Sequence, residues 1–98
     1  ASTWLNANPP RRPELSLRLD DADNRIDARW RPGDSEPVFR WVLQHRRAGQ
    51  WRTELFPDGL LARALPWTDS NGARVDAVAV RAVNRYGVPS PPMVYSHR

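Results

Sequence analysis

The chain has 98 residues, ten of them proline and none of them cysteine, with a formal net charge of +4 at pH 7. This length allows one domain with one modest core, and the spread of prolines excludes long helices. The absence of cysteine excludes a disulfide framework and any zinc site built on thiolates. No run of about 18 apolar residues occurs, so we expect no insertion into a membrane.

All fifteen basic residues are arginine, and they are scattered along the chain, often beside aspartate. A basic balance can indicate an anionic partner such as nucleic acid, lipid headgroups or acidic glycan. Because these arginines form no continuous stripe, we interpret them as part of a solvated surface. We therefore expect no nucleic-acid partner.

The predicted elements are all strands. Residues 1–13 are proline-rich and aperiodic, which predicts an extended N-terminal linker before a domain over residues 14–98. Within the domain, apolar and polar residues alternate in short segments separated by turn residues. The predicted strands cover residues 14–19, 25–31, 38–46, 51–56, 60–65, 74–83 and 93–97.

The phase of each alternation predicts which side chains form the core. The residues predicted to face inward are Leu15, Leu17, Leu19, Ile26, Ala28, Trp30, Phe39, Trp41, Leu43, Val78, Val80 and Ala82. Arg81 is predicted to be exposed, since a slip of one residue would exchange the two faces of the strand. For Trp51 two positions remain open, in the core or on an exposed hairpin surface.

Residues 77–92 (AVAVRAVNRYGVPSPP) combine a strand-length apolar run, a turn and a segment whose prolines prevent further pairing. With Trp30 before a Pro-Gly turn and an aromatic third strand, they resemble the fibronectin type III family across about residues 9–97. The resemblance implies a seven-stranded, two-sheet, immunoglobulin-like sandwich that normally binds or spaces. In that family an inward tyrosine usually begins the sixth strand, and the register puts Asp76 at that position.

A narrower resemblance lies at the head of the chain. Trp4-Leu5-Asn6, a short gap and Pro9-Pro10 are similar to a junction in bacterial cell-envelope lipoproteins of the family-10 glycoside-hydrolase-like group. In those proteins a catalytic barrel domain is followed by a C-terminal type III module. The resemblance implies a periplasmic or outer-membrane location and a preceding catalytic domain as partner, with cell-wall glycan as a further candidate partner. We expect the module to be a monomer.

Catalytic patterns are not found in the sequence. A glycosidase needs two carboxylates about 5 to 10 Å apart across a sugar cleft, whereas Asp20, Asp21 and Asp23 fall in one turn. A solvated turn is the favoured interpretation of these aspartates, and weak calcium binding is the alternative. His45 and His97 lie far apart without a metal-ligand or triad motif. We expect no enzymatic activity, no metal and no cofactor.

The candidate surface for a ligand or partner is the hairpin of the third and fourth strands, with Arg40, Arg46, Arg47, Trp51 and Arg52. Exposed aromatic faces bind sugar rings, and arginines interleaved with aromatics bind nucleic acid. A packed sheet whose arginine stems cover apolar surface is the simpler interpretation. The expected function is a non-catalytic spacer or interaction module. The alternatives are a carbohydrate-binding module and, less favoured, an anion or nucleic-acid binder.

Overall fold

The computed structural model describes residues 9–35 and 37–96, and all its regular elements are strands. One antiparallel sheet has the order β1-β2-β5 and the other the order β4-β3-β6-β7. The strands are β1 (Glu14–Asp20), β2 (Arg25–Arg31), β3 (Arg40–Arg47), β4 (Gln50–Pro57), β5 (Ala62–Pro66), β6 (Val75–Val83) and β7 (Met93–Ser96). The seven-stranded, two-sheet, all-β fold expected from the sequence is confirmed. Among the described residues no helix is long and apolar enough to cross a membrane.

The core lies between the two sheets and is centred on aromatic rings. Trp30 of β2 and Trp41 of β3 approach each other across the sandwich, with ring centroids 6.4 Å apart. Phe56 of β4 stacks on Trp30 at 5.8 Å. Both tryptophans are buried, as the alternation predicts. The aliphatic part of the cluster is Ala28, Leu43, Val75, Val78, Val80 and Ala82.

Two residues predicted to face inward are exposed. Phe39 is 54% exposed, because it precedes β3 and lies beyond the packed part of the sandwich, where the Arg40 guanidinium covers its ring at 5.3 Å. Leu19 is 46% exposed. It lines the wall of a cavity of about 190 Å³ at one end of the sandwich, so no packed side chain fills the space beside it.

Several strand boundaries differ from the prediction. β4 has eight residues, the same length as β3, whereas the sequence predicted a shorter strand over 51–56. β5 begins at Ala62, and Leu60 and Leu61 before it are exposed. The last predicted strand included His97, which lies outside the described residues.

A bulge at the start of β6 overturns the predicted position of Asp76. The pairing with β3 shifts there, since Arg46 opposes Ala77 while Arg47 opposes Val75. The extra residue places Val75 in the core, with 1% of its surface exposed. The Asp76 carboxylate instead accepts a hydrogen bond from Arg46 Nε at 2.8 Å. An alternation carried through the strand without a bulge predicts the opposite face.

Ser90 connects the proline-rich segment after β6 to the end of that strand. Proline has no N–H to donate, so this segment cannot form a complete ladder beside β6. Ser90 compensates, because its N–H donates to the Ala82 carbonyl at 2.7 Å and its hydroxyl accepts the Ala82 N–H at 3.0 Å. Ser90 is 1% exposed. The segment therefore closes the end of β6 before β7 begins at Met93.

Residues 9–13, the described part of the predicted linker, lie against the connection between β2 and β3. Pro10 and Pro13 are buried, and a Cβ atom at Gly33 would overlap the Arg12 carbonyl oxygen. Only glycine permits so close an approach of two backbones. Residues 1–8, which include Trp4, lie outside the described residues, and the domain boundary at residue 13 stays a prediction.

Candidate functional site

The candidate surface is carried by the β3–β4 hairpin. Its two-residue turn, Ala48-Gly49, has φ of 53° and 76°, the double positive φ that tight hairpins with the natural strand twist require. The turn sets the register, so that Arg46 opposes Trp51 and Arg47 opposes Gln50. Residues directly opposite share a face. Arg46 and Trp51 therefore lie together on the outer face of the four-stranded sheet.

Arg46, Trp51 and Asp76 form one connected cluster. The Arg46 guanidinium lies over the Trp51 ring, 5.4 Å from its centroid, and pairs with the Asp76 carboxylate at 2.8 Å. Trp51 is 47% exposed, which answers the question that the sequence left open. Asp76 was missed by the sequence reasoning because only the β6 bulge turns it toward Arg46.

The other three arginines of the candidate surface lie elsewhere. Arg40 lies six residues from Arg46 along β3, about 20 Å away by strand geometry, and opposes Pro57. Arg47 donates to the Pro66 carbonyl, which belongs to the other sheet. Arg52 opposes His45 and so projects from the opposite side of β4 to Trp51. The structure therefore divides the predicted surface: Arg46 and Trp51 lie together on the outer face, Arg47 and Arg52 lie on the inner side near His45, and Arg40 lies apart from both.

Paired carboxylates reduce the positive charge of the surface. In the described residues, arginines with carboxylate partners within 3.5 Å include Arg25, Arg31, Arg46 and Arg63. The Arg31 guanidinium, which donates hydrogen bonds to Glu14, holds the pKa of that carboxyl below its ordinary value. These pairs neutralise part of the basic surface, and phosphate binding uses a continuous basic patch or stripe.

A polar cluster that the sequence did not reveal lies between the sheets. His45, in phase with Trp41 and Leu43, is 8% exposed. Its Nε2 lies 3.7 Å from Glu54 of β4, and Arg63 of β5 pairs with the same carboxylate at 3.2 Å. The alternation of β3 was the available signal, since it puts His45 on the inner face.

Burial decides the charge of His45. Its Nδ1 is buried and has no hydrogen-bond partner. Burial lowers the pKa of His45 below the ordinary value of 6.5; Glu54 opposes this effect, and the positive charges of Arg47, Arg63 and Arg52 add to it. The neutral imidazole is therefore the form that the folded protein favours.

The acidic turn between β1 and β2 binds its own chain. Asp20 accepts the Asp23 N–H at 3.2 Å and pairs with Arg25 at 3.5 Å. Across residues 9–35 and 37–96, no cluster of three or more His, Cys, Asp or Glu side chains could hold a metal ion.

Comparisons with known proteins show the fold of the chain. A structure described as a myokine has a TM-score of 0.61 and 18% identity, and the match covers 91% of this chain and 99% of that one. Pectate lyase PelI from Erwinia chrysanthemi, in complex with tetragalacturonic acid, has a TM-score of 0.60 and 13% identity over 85% of this chain. Pectate lyase Pel3 from Pectobacterium carotovorum has a TM-score of 0.59 and 13% identity over 89%.

The matched region is only 28% of the PelI chain and 27% of the Pel3 chain, so this chain spans about a quarter of each lyase. No protein-family model matches the chain, and no curated protein matches its sequence. At these identities the likeness is one of fold.

Proposed function

We propose that the chain is a fibronectin type III-like module that spaces or orients a catalytic domain and carries no catalysis of its own. The division of seven strands into sheets of three and four and the core position of Trp30 support this family, since related sandwiches share that architecture. By the resemblance at residues 4–10, the catalytic partner precedes the module in a bacterial cell-envelope protein of the family-10 glycoside-hydrolase-like group.

The dispersal of the candidate surface is the observation that carries the spacer proposal. Of the five residues, Arg46 and Trp51 are in contact on the outer face, Arg47 and Arg52 lie on the inner side near His45, and Asp76 already pairs with Arg46. A neutralised arginine offers little to an anionic ligand. The pectate lyases add support for a modular role, because in each of them a region of this fold is about a quarter of the chain.

A carbohydrate-binding module is the second candidate, and the exposure of Trp51 favours it. The face of an indole ring can stack on a sugar, and Trp51 is about half exposed. The Arg46 guanidinium, however, lies over this ring. A stacked sugar would have to displace it or use the other face. Nucleic-acid binding is less favoured, because four of the arginines pair with carboxylates and the candidate surface is divided between two faces.

Titration with ligands followed by NMR tests the proposal. The spacer proposal expects the amide signals of Arg46, Trp51 and Arg52 to stay in place at millimolar concentrations of cell-wall glycan fragments or short nucleic acids. Saturable shifts confined to the hairpin, and lost in Trp51→Ala, would overturn it. Shifts that persist in high salt would favour sugar stacking, whereas nucleic-acid binding would weaken steeply because neutralising phosphates releases counterions.

Two further observations test the remaining parts. The purified domain is expected to hydrolyse neither cell-wall glycan nor simple glycosides, and activity that follows the domain and is lost with a single Asp or Glu substitution would contradict this. The coding sequence upstream of residue 1 tests the context. A barrel domain with a lipoprotein signal would support the envelope proposal, and an unrelated upstream sequence would remove it.

A further inference from the structure

The longest strand with a free edge is β4. In the part of the chain that the structure describes, β4 pairs only with β3, at the end of the order β4-β3-β6-β7. Half the backbone N–H and C=O groups of such an edge point away from the sheet, where they can pair with another strand. β7, at the other end of the same sheet, has only four residues and follows the prolines.

The sequence of β4 is self-complementary about Thr53. When two copies pair antiparallel around a two-fold axis through Thr53, residues equally far before and after it oppose each other on the same face. Trp51 then opposes Leu55 of the second copy, and Arg52 opposes its Glu54. Each of these contacts occurs twice by symmetry.

The surface exposure of these residues fits the arrangement. Trp51 is 47% exposed and Leu55 is 59% exposed, and both lie on the outer face, where pairing would cover them. Arg52 and Glu54 lie on the opposite face and carry opposite charges, and Glu54 would share its carboxylate between Arg63 of its own chain and Arg52 of the second copy. Apolar pairs and opposite charges directly across two strands are the contacts that stabilise a sheet.

Two neighbouring registers of β4, and the edge of the other sheet at β1, place like charges together. Centring the pair on Arg52 or on Glu54 makes that residue oppose itself. The edge strand of the other sheet, β1, centred on its middle residue Leu17, would place Glu14 against Asp20 of the second copy. Like charges directly opposite destabilise a pair of strands. In the Thr53 register of β4, opposite charges face each other on one side and apolar side chains face each other on the other side.

We propose that β4 pairs with β4 of a second copy of this chain, with the two-fold axis at Thr53, so that two four-stranded sheets become one of eight strands. One strand edge buries far less than the roughly 1,200 Å² of a stable interface, so the dimer is weak and forms at high concentration. We expected a monomer from the sequence, and the paired edge departs from that expectation. It is independent of the spacer function.

Single cysteines test the register, because the chain has none of its own. Opposed Cβ atoms in an antiparallel pair are close enough for a disulfide after small adjustments. Under mild oxidation, Thr53→Cys is expected to form covalent dimers at least about tenfold faster than Ser70→Cys, a matched control in an exposed loop. A mixture of Trp51→Cys and Leu55→Cys is expected to give mixed dimers faster than either variant gives dimers alone.

Sedimentation of the unmodified chain provides a measurement that does not depend on the cysteine variants. Its average mass is expected to rise with concentration up to the millimolar range. Arg52→Glu, which sets a second carboxylate against Glu54 of the other copy, should abolish this rise, whereas Arg29→Glu on the exposed side of β2 should leave it unchanged. A chain that remains monomeric at millimolar concentration, or Thr53→Cys linking no faster than the loop control, would overturn the proposal. Dominant cross-linking in another register would do so as well.

Discussion

The two strands of one hairpin, β3 and β4, differ sharply in burial although they have the same length. Each has eight residues, with a tryptophan at the second position. Trp41 of β3 has no exposed surface, whereas Trp51 of β4 is 47% exposed. β3 lies between β4 and β6, while β4 has a neighbour on one side only.

Alternation decides which face a side chain occupies, and position in the sheet decides how much of it is buried. On β3 the inward residues Trp41, Leu43 and His45 are all buried. On β4 the inward residues Glu54 and Phe56 are only half-buried, because the second sheet has three strands and does not cover this edge completely. The free edge leaves room for the polar cluster and for a pairing partner.

Replacing each tryptophan of the hairpin in turn is the strongest test of this comparison. Trp41→Ala should lower the free energy of unfolding by about 3 to 5 kcal/mol, through lost burial and a residual cavity. It also removes the hydrogen bond from the indole Nε1 to the Asp58 carbonyl, 3.1 Å long. Trp51→Ala, the matched control, should cost under about 1 kcal/mol, as exposed substitutions do. Urea unfolding measures both, and equal costs would contradict the comparison.

A smaller loss of stability is expected at the end of β6, where Ser90 makes the hydrogen bonds to Ala82 that a neighbouring strand would otherwise make. Ser90→Ala removes the acceptor of the buried Ala82 N–H and should cost about 1 to 3 kcal/mol, the penalty for a buried donor without a partner. Ser16→Ala on the exposed face of β1 is the matched control and should be nearly neutral. A neutral Ser90→Ala would mean that another group satisfies Ala82.

Much of the fold could be predicted from local pattern. The alternation and the turn residues found all seven strands, and the phase of β2 placed Trp30 correctly. The errors arise where burial depends on residues far away in the sequence. Phe39 and Leu19 have the predicted phase, but they lie at the ends of the sandwich, where the other described elements leave them about half exposed. The reversed position of Asp76 depends on a single bulge, which leaves no mark in the alternation.

The candidate surface was less predictable, because a list of arginines does not show which side of a strand each one occupies. Arg46 and Trp51 are five positions apart in the sequence but adjacent in the sheet. Trp51 and Arg52 are neighbours in the sequence but project to opposite faces of β4. The turn at Ala48-Gly49 decides this register. The cluster of His45, Glu54 and Arg63 joins three strands, so no short segment of sequence contains it.

The half-covered edge also predicts a dependence of stability on pH through His45. Its pKa is lowered in the folded protein, chiefly by burial, so the unfolded chain binds the proton more readily. The stability that neutral His45 contributes is therefore present above pH 6.5, the ordinary pKa, and is lost as the pH falls below it. Unfolding free energies measured between about pH 7 and pH 5 should fall more steeply in the unmodified chain than in His45→Leu.

The charged groups that face His45 are Glu54 and Arg52 of β4, Arg47 of β3 and Arg63 of β5. Glu54→Gln removes the one negative charge among them, so it should make the loss of stability at low pH larger. His97 is present in all of these chains, so any contribution from it is the same in each and does not affect the difference between them. An identical slope in the unmodified chain and His45→Leu would show that the histidine is not responsible.

The smallest effect is expected at the ion pair that joins the outer faces of β3 and β6. The Arg46 and Asp76 side chains are 36% and 42% exposed, so water and salt screen their attraction. Asp76→Asn should therefore lower the free energy of unfolding by under about 1 kcal/mol. A double-mutant cycle with Arg46→Gln isolates the pair, and its coupling energy should shrink as salt is added. A coupling energy well above about 1 kcal/mol that salt does not change would mean that water does not screen this pair. The outer face of β3 and β6 would then be more enclosed than the exposed edge at β4.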